Sequence, residues 1–314
     1  MGRYILKRIL LALVTLLLVS FIIFIVGEVL PGSIGRTILG QFATKAQVNA
    51  LNAQLGLDHP ILIRYWYWIS DFVRGNWGTS ILQQVPVFPL VMRHFWNSIL
   101  LGTFCLVIIV PVSVGLGVVA ATKRNTWVDR VISITGMSML ALPEFVTGVI
   151  VIIIFAVTLK WLPVSSVVPS FSLVSVLKNF ILPSIPEMVL IFGYISRMAR
   201  AGTVEALESN YNRTAILKGL PRQRVLLRHT LRNSLLPTIT VIAVQAGYLV
   251  GGLVVVETLF NYQGIGNLIY TSAIGHDQPV LQATVFLAAL VYTVGNLLAD
   301  LTYAWLNPRV RLDG

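Results

Sequence analysis

A ten-residue basic segment carries the side chains of this sequence that are best suited to contact another molecule. It reads Tyr211-Asn212-Arg213-Thr214-Ala215-Ile216-Leu217-Lys218-Gly219-Leu220, and apolar sequence resumes at Leu235-Leu236-Pro237. Tyr211 offers an aromatic ring with a polar tip, and Arg213 and Lys218 offer charged contacts. Gly219 permits a sharp turn after them. A short polar helix between two apolar stretches is available to dock on a partner. A solvated basic loop that only sets membrane topology is the alternative.

Residue patterns for catalysis are missing from the sequence. No Gly-x-x-x-x-Gly-Lys-Ser/Thr loop occurs to bind nucleotide phosphates, and no Gly-x-Ser-x-Gly elbow occurs to hold a nucleophile. The four histidines are scattered without metal-ligand spacing, and the single cysteine, Cys105, lies inside an apolar run. We therefore predict that the chain is not an enzyme and holds no cofactor or metal of its own.

Acidic residues inside apolar stretches form a separate class, because they are costly in a bilayer and often mark a transport pathway. Glu144 follows Leu142-Pro143, and Glu187 follows Pro186. We predict Glu144 and Glu187 as pathway candidates, with helix capping, inter-subunit pairing or placement at the membrane interface as the alternative. For Glu257 and Asp300 we favour these structural roles over a place in the pathway.

Composition assigns the chain to the membrane. Hydrophobic residues make up 56% of it and charged residues 11%, against about 25% charged in soluble proteins. The net charge of +11 does not indicate nucleic-acid binding, because the basic residues lie at the ends of apolar stretches and are not interleaved with aromatic residues on a polar domain. We predict an all-α integral membrane protein.

Stretches of roughly 20 apolar residues predict six transmembrane helices. They are 9–30, 97–122, 131–159, 180–200, 235–258 and 280–306. The fourth is the weakest, because Pro183, Pro186 and Glu187 interrupt its start. The first is too long for the apolar region of a cleavable signal peptide and has no small-x-small cleavage site, so we interpret it as a retained span.

Lysine and arginine predict the orientation. Sixteen of the 23 basic residues flank spans on the side that holds both termini, so both termini are predicted to be cytoplasmic. The chain then divides into an N-terminal segment with the first span, an external loop region, a transmembrane core with a cytoplasmic loop, and a cytoplasmic tail. These parts are 1–30, 31–96, 97–306 with its loop 201–234, and 307–314.

Both long loops carry helix signals. Thr44 is placed to cap a helix through about Leu55, and Pro60 opens an aromatic-rich helix that ends near Gly75. In the cytoplasmic loop, helix formers run from Thr203 to about Leu217. Gly219 is placed to cap that helix, and Pro221 to open the next one. We predict two short helices joined at 218–221.

These residues resemble the inner-membrane permease subunits of ATP-binding-cassette importers, in the dipeptide, oligopeptide and nickel branch. That branch has a segment similar to Tyr-x-Arg-Thr-Ala-x-x-Lys-Gly-Leu, which this chain matches at Tyr211–Leu220. A His-x-x-Arg-Asn stretch follows in the branch, matched here by His229, Arg232 and Asn233. The next span then begins with Leu-Pro, matched here by Leu236-Pro237. Further similar landmarks are Leu30-Pro31-Gly32, Leu55-Gly56-Leu57-Asp58, Trp77-Gly78-Thr79-Ser80, Leu142-Pro143-Glu144-Phe145, Glu257-Thr258-Leu259-Phe260, Gly264-Ile265-Gly266 and Asn307-Pro308-Arg309-Val310-Arg311. Asn212 departs from the branch, which has a hydrophobic residue after the tyrosine.

The resemblance implies a first permease subunit of a binding-protein-dependent importer in the bacterial inner membrane. It implies a second homologous permease, two ATP-binding subunits that hold ATP and Mg, an external solute-binding protein, and membrane lipid as partners. The implied ATPase-coupling residues are Tyr211, Arg213, Thr214, Ala215, Lys218, Gly219 and Leu220.

The cargo expected from the resemblance is a di- or oligopeptide, taken up by alternating access. Glutathione, a nickel chelate or an opine- or sugar-like compound is the alternative within the same class. An ion-coupled secondary transporter or a membrane scaffold is a different class, and the sequence lacks the inverted repeats and paired intramembrane acids of the former.

Overall fold

The computed structural model describes residues 2–29, 42–54, 59–164 and 173–306, and within these ranges the regular structure is helical. The first helices are α1 (Gly2–Val29), α2 (Lys45–Gln54), α3 (Ile61–Val73), α4 (Val87–Thr122), α5 (Trp127–Ala141) and α6 (Glu144–Val151). The later ones are α7 (Leu173–Glu208), α8 (Asn210–Leu217), α9 (Arg222–Val225), α10 (Leu231–Ser234), α11 (Leu236–Gly252), α12 (Val254–Leu259), α13 (Ile265–Ile274) and α14 (Gln278–Leu306). Single π-helical stretches follow α6, at Ile152–Thr158, and α9, at Leu226–Thr230.

Four helices are long and apolar enough to cross a membrane, and they correspond to the first, second, fourth and sixth predicted spans. They are Ile5–Gly27, Val87–Thr122, Asn179–Glu208 and Gln278–Thr302. The fourth span, predicted as the weakest, is one continuous helix that includes Pro183 and Pro186. The second begins at Val87, ten residues before its predicted start, so the external region 31–96 ends inside a helix.

The third and fifth predicted spans are not continuous helices. Residues 131–159 fall on α5 and α6, which meet at an angle of 103°. The bend follows from Pro143, which lacks an N–H and forces the residue before it out of the helical region, so Leu142 is extended. Residues 235–258 divide between α11 and α12 at Leu253. Within the described ranges, the helices therefore provide four spans, or five when the bent pair counts as one.

The helix signals of the external region were confirmed. Thr44 and Gln47 form a reciprocal capping box, in which the Gln47 N–H donates to Thr44 Oγ1 over 3.3 Å and the Thr44 N–H donates to Gln47 Oε1 over 2.9 Å. Pro60 precedes α3 directly. The landmarks at 30–32, 55–58 and 307–311 lie outside the described residues.

The core lies where α4, α7 and α11 pack together. Its buried side chains include Leu101 and Cys105 of α4, Ile191 and Ile195 of α7, and Leu249 of α11. By contrast, α1 exposes one apolar side chain after another along its length, as a helix facing lipid does. The basic loop therefore connects two helices of this core, α7 and α11.

Candidate functional site

The basic segment is a short helix, α8, set between two breaks. The predicted single helix from Thr203 to Leu217 was wrong, because α7 continues to Glu208 and ends at Ser209. The Ser209 hydroxyl donates to the Ala206 carbonyl oxygen over 2.6 Å, and the Ser209 backbone is extended. A serine that bonds to the preceding turn in this way competes with continued helix. The chain changes direction at this residue.

The predicted end of the segment was confirmed. Gly219 adopts a positive φ of 79°, which costs a glycine little. The Gly219 N–H donates to the Ile216 carbonyl over 2.9 Å, and the Leu220 N–H donates to the Ala215 carbonyl over 3.3 Å. These two bonds form a Schellman motif. Pro221 then precedes α9, so α8 ends at a turn with a defined geometry.

The seven residues implied as ATPase-coupling residues divide into an outward-facing set and an inward-facing set. Tyr211 is 42% exposed, and Arg213, Thr214, Lys218 and Gly219 are also exposed. Ala215 is buried, and Leu220 is half-buried. The outward-facing residues are available to a partner, whereas Ala215 packs within its own chain.

Leu217 is an outward-facing residue that the sequence analysis did not single out. Its side chain is 87% exposed at the C-terminal end of α8, next to Lys218. Ile216 is exposed as well. Two exposed aliphatic side chains beside basic ones are characteristic of a contact surface more than of a solvated loop. In the sequence, the position of Ile216 and Leu217 within the Tyr211–Leu220 segment was the only indication that they could belong to a contact surface.

Asn212 is the second residue that sequence analysis missed, since it entered only as a departure from the family pattern. Its side chain is 1% exposed. Asn212 Nδ2 donates to the Leu207 carbonyl over 3.1 Å, and the buried Thr230 hydroxyl donates to Asn212 Oδ1 over 3.2 Å. Asn212 and Ala215 are three residues apart, so they share the inner face of α8. That face attaches α8 to the body of the protein.

An open cleft of about 240 Å³ lies beside Tyr211. It is lined by the end of α7, by Tyr211 and by the start of α11, and includes Glu205, Asn233 and the Leu236-Pro237 pair. Gly202 of α7 lies so close to the Ser234 carbonyl that a side chain there would collide with it. This close approach brings Leu236-Pro237 next to the basic segment, although 16 residues separate Leu220 from Leu236.

We call residues 209–235, which connect the end of α7 to the start of α11, the basic hairpin. Ion pairs hold its base. Arg200 of α7 makes a bidentate pair with Asp129 of α5, with nitrogen–oxygen distances of 2.6 and 2.8 Å. Asp129 is buried, and it also accepts the Asn125 N–H. Arg124 pairs with Glu208 at the last turn of α7. The α4–α5 turn and the end of α7 therefore form one connected unit.

Glu144 and Glu187, the predicted pathway candidates, occupy different environments. Glu144 begins α6, is half-buried, and accepts the Tyr248 hydroxyl over 3.0 Å. Glu187 is fully buried, and neither of its carboxylate oxygens has a hydrogen-bond partner among the described residues. It lies close enough to interact electrostatically with both Glu144 and Glu257. Of the two carboxylates, Glu144 is the one that is partly exposed.

Glu257 has the capping role that the structural alternative predicted, whereas Asp300 makes an ion pair within the chain. Glu257 accepts the Ser98 hydroxyl over 2.5 Å and the Gly266 N–H over 2.6 Å, so it caps the N-terminus of α13 and ties it to α4. Asp300 of α14 pairs with Arg8 of α1 over 2.7 Å.

Comparison with known proteins identifies the family. Residues 113–312 match the family described as the binding-protein-dependent transport system inner membrane component, and residues 1–102 match its N-terminal domain. The chain belongs to this family. It is similar to the glutathione transport system permease protein GsiC of Escherichia coli K12, with 34% identity over 311 residues and 99% of each chain covered. The same protein of Salmonella choleraesuis is 35% identical over 314 residues, also with 99% of each chain covered.

Membership of this family identifies the location of the protein and its role in transport. The protein is a multi-pass permease subunit of an ATP-binding-cassette importer in the inner membrane. It is not itself an enzyme, because ATP hydrolysis in these importers belongs to separate subunits.

Proposed function

We propose that this subunit lines the membrane pathway of an importer for small peptides, with glutathione as the first candidate cargo. The observation that supports it is the end-to-end similarity to permeases named for glutathione transport. These relatives favour the glutathione alternative over the broader expectation of di- and oligopeptides. Nickel chelates and opine- or sugar-like compounds remain cargoes to test against it.

In this proposal an ATPase subunit binds the Tyr211–Leu220 segment. When two ATPase subunits close around nucleotide, they move the permease only if a rigid element is held by each of them. The segment has this rigidity, because Ser209 and the Schellman turn define its ends and Asn212 anchors its inner face. Tyr211, Arg213 and Lys218 face outward for the contact.

The proposal includes six spans and cytoplasmic termini. The 17 residues of α11 rise about 25 Å, which is less than the roughly 30 Å of a hydrocarbon core. The short helix α12 continues it beyond Leu253, so the pair α11–α12 supplies the missing span. The bent pair α5–α6 supplies another, and the basic α8–α10 region then lies in the cytoplasm with both termini.

A second, homologous permease completes the pathway, and an external solute-binding protein delivers the cargo. Glu144 is the pathway residue that we propose for this subunit, because it is half-buried and held by Tyr248. Glu187 is fully buried, so a solute reaches it only if the helices around it move. Glutathione and other peptides carry a free ammonium group, which a membrane carboxylate such as Glu144 can attract.

Uptake by the reconstituted complex tests the function. The permease pair, the ATPase subunits and the binding protein are placed in proteoliposomes, and labelled glutathione is supplied outside with ATP inside. We expect ATP-dependent uptake that unlabelled glutathione reduces more strongly than a nickel chelate or a sugar. Uptake driven by a proton gradient without ATP would instead indicate a secondary transporter. Absence of co-purifying ATPase subunits would indicate a scaffold.

A further inference from the structure

A cavity lies between α5 and α7, about two turns before α7 ends and the basic hairpin begins. Its volume of about 330 Å³ is within the range of small-molecule sites. Its walls are formed by residues of 132–137 on α5 and of 193–201 on α7. We call this space the Arg197 cavity, after the arginine in its wall.

Two contacts between the antiparallel helices fix the dimensions of the cavity. On the hairpin side, Asp129 and Arg200 form their bidentate pair. Seven residues further along each helix, a side chain at Gly193 would collide with the Gly136 carbonyl oxygen, so the two backbones nearly touch. Seven residues are about two turns, or roughly 10 Å. The cavity is therefore held open between a salt bridge and a close backbone contact.

Two polar side chains in the wall have no partner among the described residues. Arg197 is exposed, and no carboxylate of the described chain pairs with it. Ser196 is 4% exposed, and its hydroxyl makes no hydrogen bond within those residues. Leaving a buried polar group unpaired is costly, so a ligand atom is expected at Ser196. A hydroxyl beside a guanidinium provides donors that suit an anionic oxygen.

The exposed face of α7 indicates that the cavity opens to water and not to lipid. Between 191 and 208 the exposed residues are Tyr194, Arg197, Ala201, Glu205 and Glu208. Their spacing of three or four residues places them on one side of the helix. A helix that faces lipid exposes aliphatic side chains, as α1 does along its length. Ionisable residues of membrane helices instead face water-filled spaces inside an assembly.

The same face of α7 leads to Glu144, the pathway residue proposed above. Tyr194 lies close enough to Tyr248 to interact electrostatically with its hydroxyl, which donates to Glu144. Arg197 is one turn further along α7. It lies ten residues, or about 15 Å, beyond Glu187, which is itself near Glu144. A small cargo moving along this face would meet an acidic site first and a basic site second.

We propose that Arg197 and the Ser196 hydroxyl bind a carboxylate group of the cargo, so that the pathway favours zwitterionic compounds with a free carboxylate. The proposal rests on the importer function and orientation proposed above. Glu144 attracts the ammonium group, and Arg197 receives a carboxylate nearer to the cytoplasm. Arginine suits this role because its guanidinium is always charged and presents several N–H donors in one plane. A neutral sugar has no group for this site.

Glutathione uptake per ATP in the reconstituted complex measures the contribution of Arg197. Arg197→Gln removes the charge and should lower this ratio about tenfold, as the loss of one charge-assisted hydrogen bond implies. Arg197→Lys keeps the charge without the planar donors and should lower it only about threefold. Arg130→Gln is the matched control, because Arg130 is an exposed arginine of α5 that does not line the cavity. It should stay within about twofold of wild type.

Chemical modification separates the charge of Arg197 from its contribution to packing. Arg197→Cys is made in a complex free of other cysteines, with Cys105→Ser in this chain. Bromoethylamine then attaches a positive group at the new thiol, and iodoacetate attaches a negative group of similar size. Both are joined by thioethers, which the glutathione thiol does not reduce. We expect the positive group to restore uptake per ATP at least threefold over the negative one. Equal uptake after the two reagents overturns the carboxylate site.

The remaining outcomes distinguish this inference from the proposed function. Equal uptake by Arg197→Gln and Arg130→Gln, in a complex whose wild type transports glutathione, overturns the inference alone. A wild-type complex that takes up a neutral sugar as fast as glutathione also overturns it, since the sugar has no carboxylate. A wild-type complex without ATP-dependent uptake of any of these cargoes overturns the proposed function instead.

Discussion

Asn212 provides a sensitive test of how α8 is held against the rest of the protein. Asn212→Ala removes the hydrogen bond to the Leu207 carbonyl, which contributes about 1 kcal/mol. Thr230 keeps a partner, because its hydroxyl also lies 3.3 Å from the Val225 carbonyl. The space left by the amide adds about 1 kcal/mol in a buried site. The total of about 2 kcal/mol lowers the ratio of docked to undocked α8 roughly thirtyfold.

The consequence is a loss of coupling that leaves the ATPase subunits intact. We expect Asn212→Ala to hydrolyse ATP in the assembled complex while transporting fewer cargo molecules for each ATP. Backbone amides of 210–217 should exchange with deuterium faster than in wild type, since their helix is less firmly attached. Both quantities are measured on the same proteoliposome preparation.

Asn210→Ala is the matched control, because Asn210 is an exposed asparagine at the start of the same helix. Asn212→Leu combined with Thr230→Val should recover part of the coupling, since the leucine side chain refills the space that Asn212→Ala leaves empty. If Asn212→Ala behaves like Asn210→Ala in both exchange and coupling, the anchoring role of Asn212 is refuted.

Four other changes follow from the same structure. Gly219→Pro cannot adopt the positive φ or donate the turn's hydrogen bond, so uptake per ATP should fall severely at normal protein level. Arg213→Glu reverses an exposed charge and should reduce ATPase binding in a pull-down, an effect that is weaker at high salt. Glu257→Gln should lower the melting temperature of the purified complex, because removing the carboxylate weakens two buried bonds worth about 1 to 3 kcal/mol. Leu217→Cys, in a Cys105→Ser background, should react with a membrane-impermeant maleimide only from the cytoplasmic side.

Two of these four changes have conservative control substitutions. Arg213→Lys keeps the charge and should retain most ATPase binding. Gly219→Ala strains the turn but keeps its N–H, so uptake should fall less than with proline. Normal uptake by Gly219→Pro, or external labelling at position 217, would contradict the proposed role or orientation of the hairpin.

Local features of this protein were predictable because they depend on neighbouring residues alone. Thr44 and Gln47 are three residues apart, so a capping box follows from their spacing. Gly219 and Pro221 define a helix end and a helix start through their own backbone preferences. The long apolar stretches predicted four of the spans, because hydrocarbon thickness sets the number of apolar residues needed.

Continuity of the helices was less predictable. Pro143 bends one predicted span by 103°, whereas Pro183 and Pro186 remain inside a continuous helix. The same residue type has different effects because neighbouring helices decide whether the freed carbonyl groups find other partners. Ser209 ends α7 although the residues around it favour helix.

The sequence by itself determined that this is a helical membrane protein of the importer family, and where its basic hairpin turns. Only the tertiary structure decided which polar side chains connect segments that are distant in the sequence. Thr230 reaches Asn212 across 18 residues, and Ser80 reaches Asp277 across 197. Hydrophobic periodicity and turn preferences describe a residue's near neighbours, whereas these pairs exist because helix packing brings distant segments within hydrogen-bond distance.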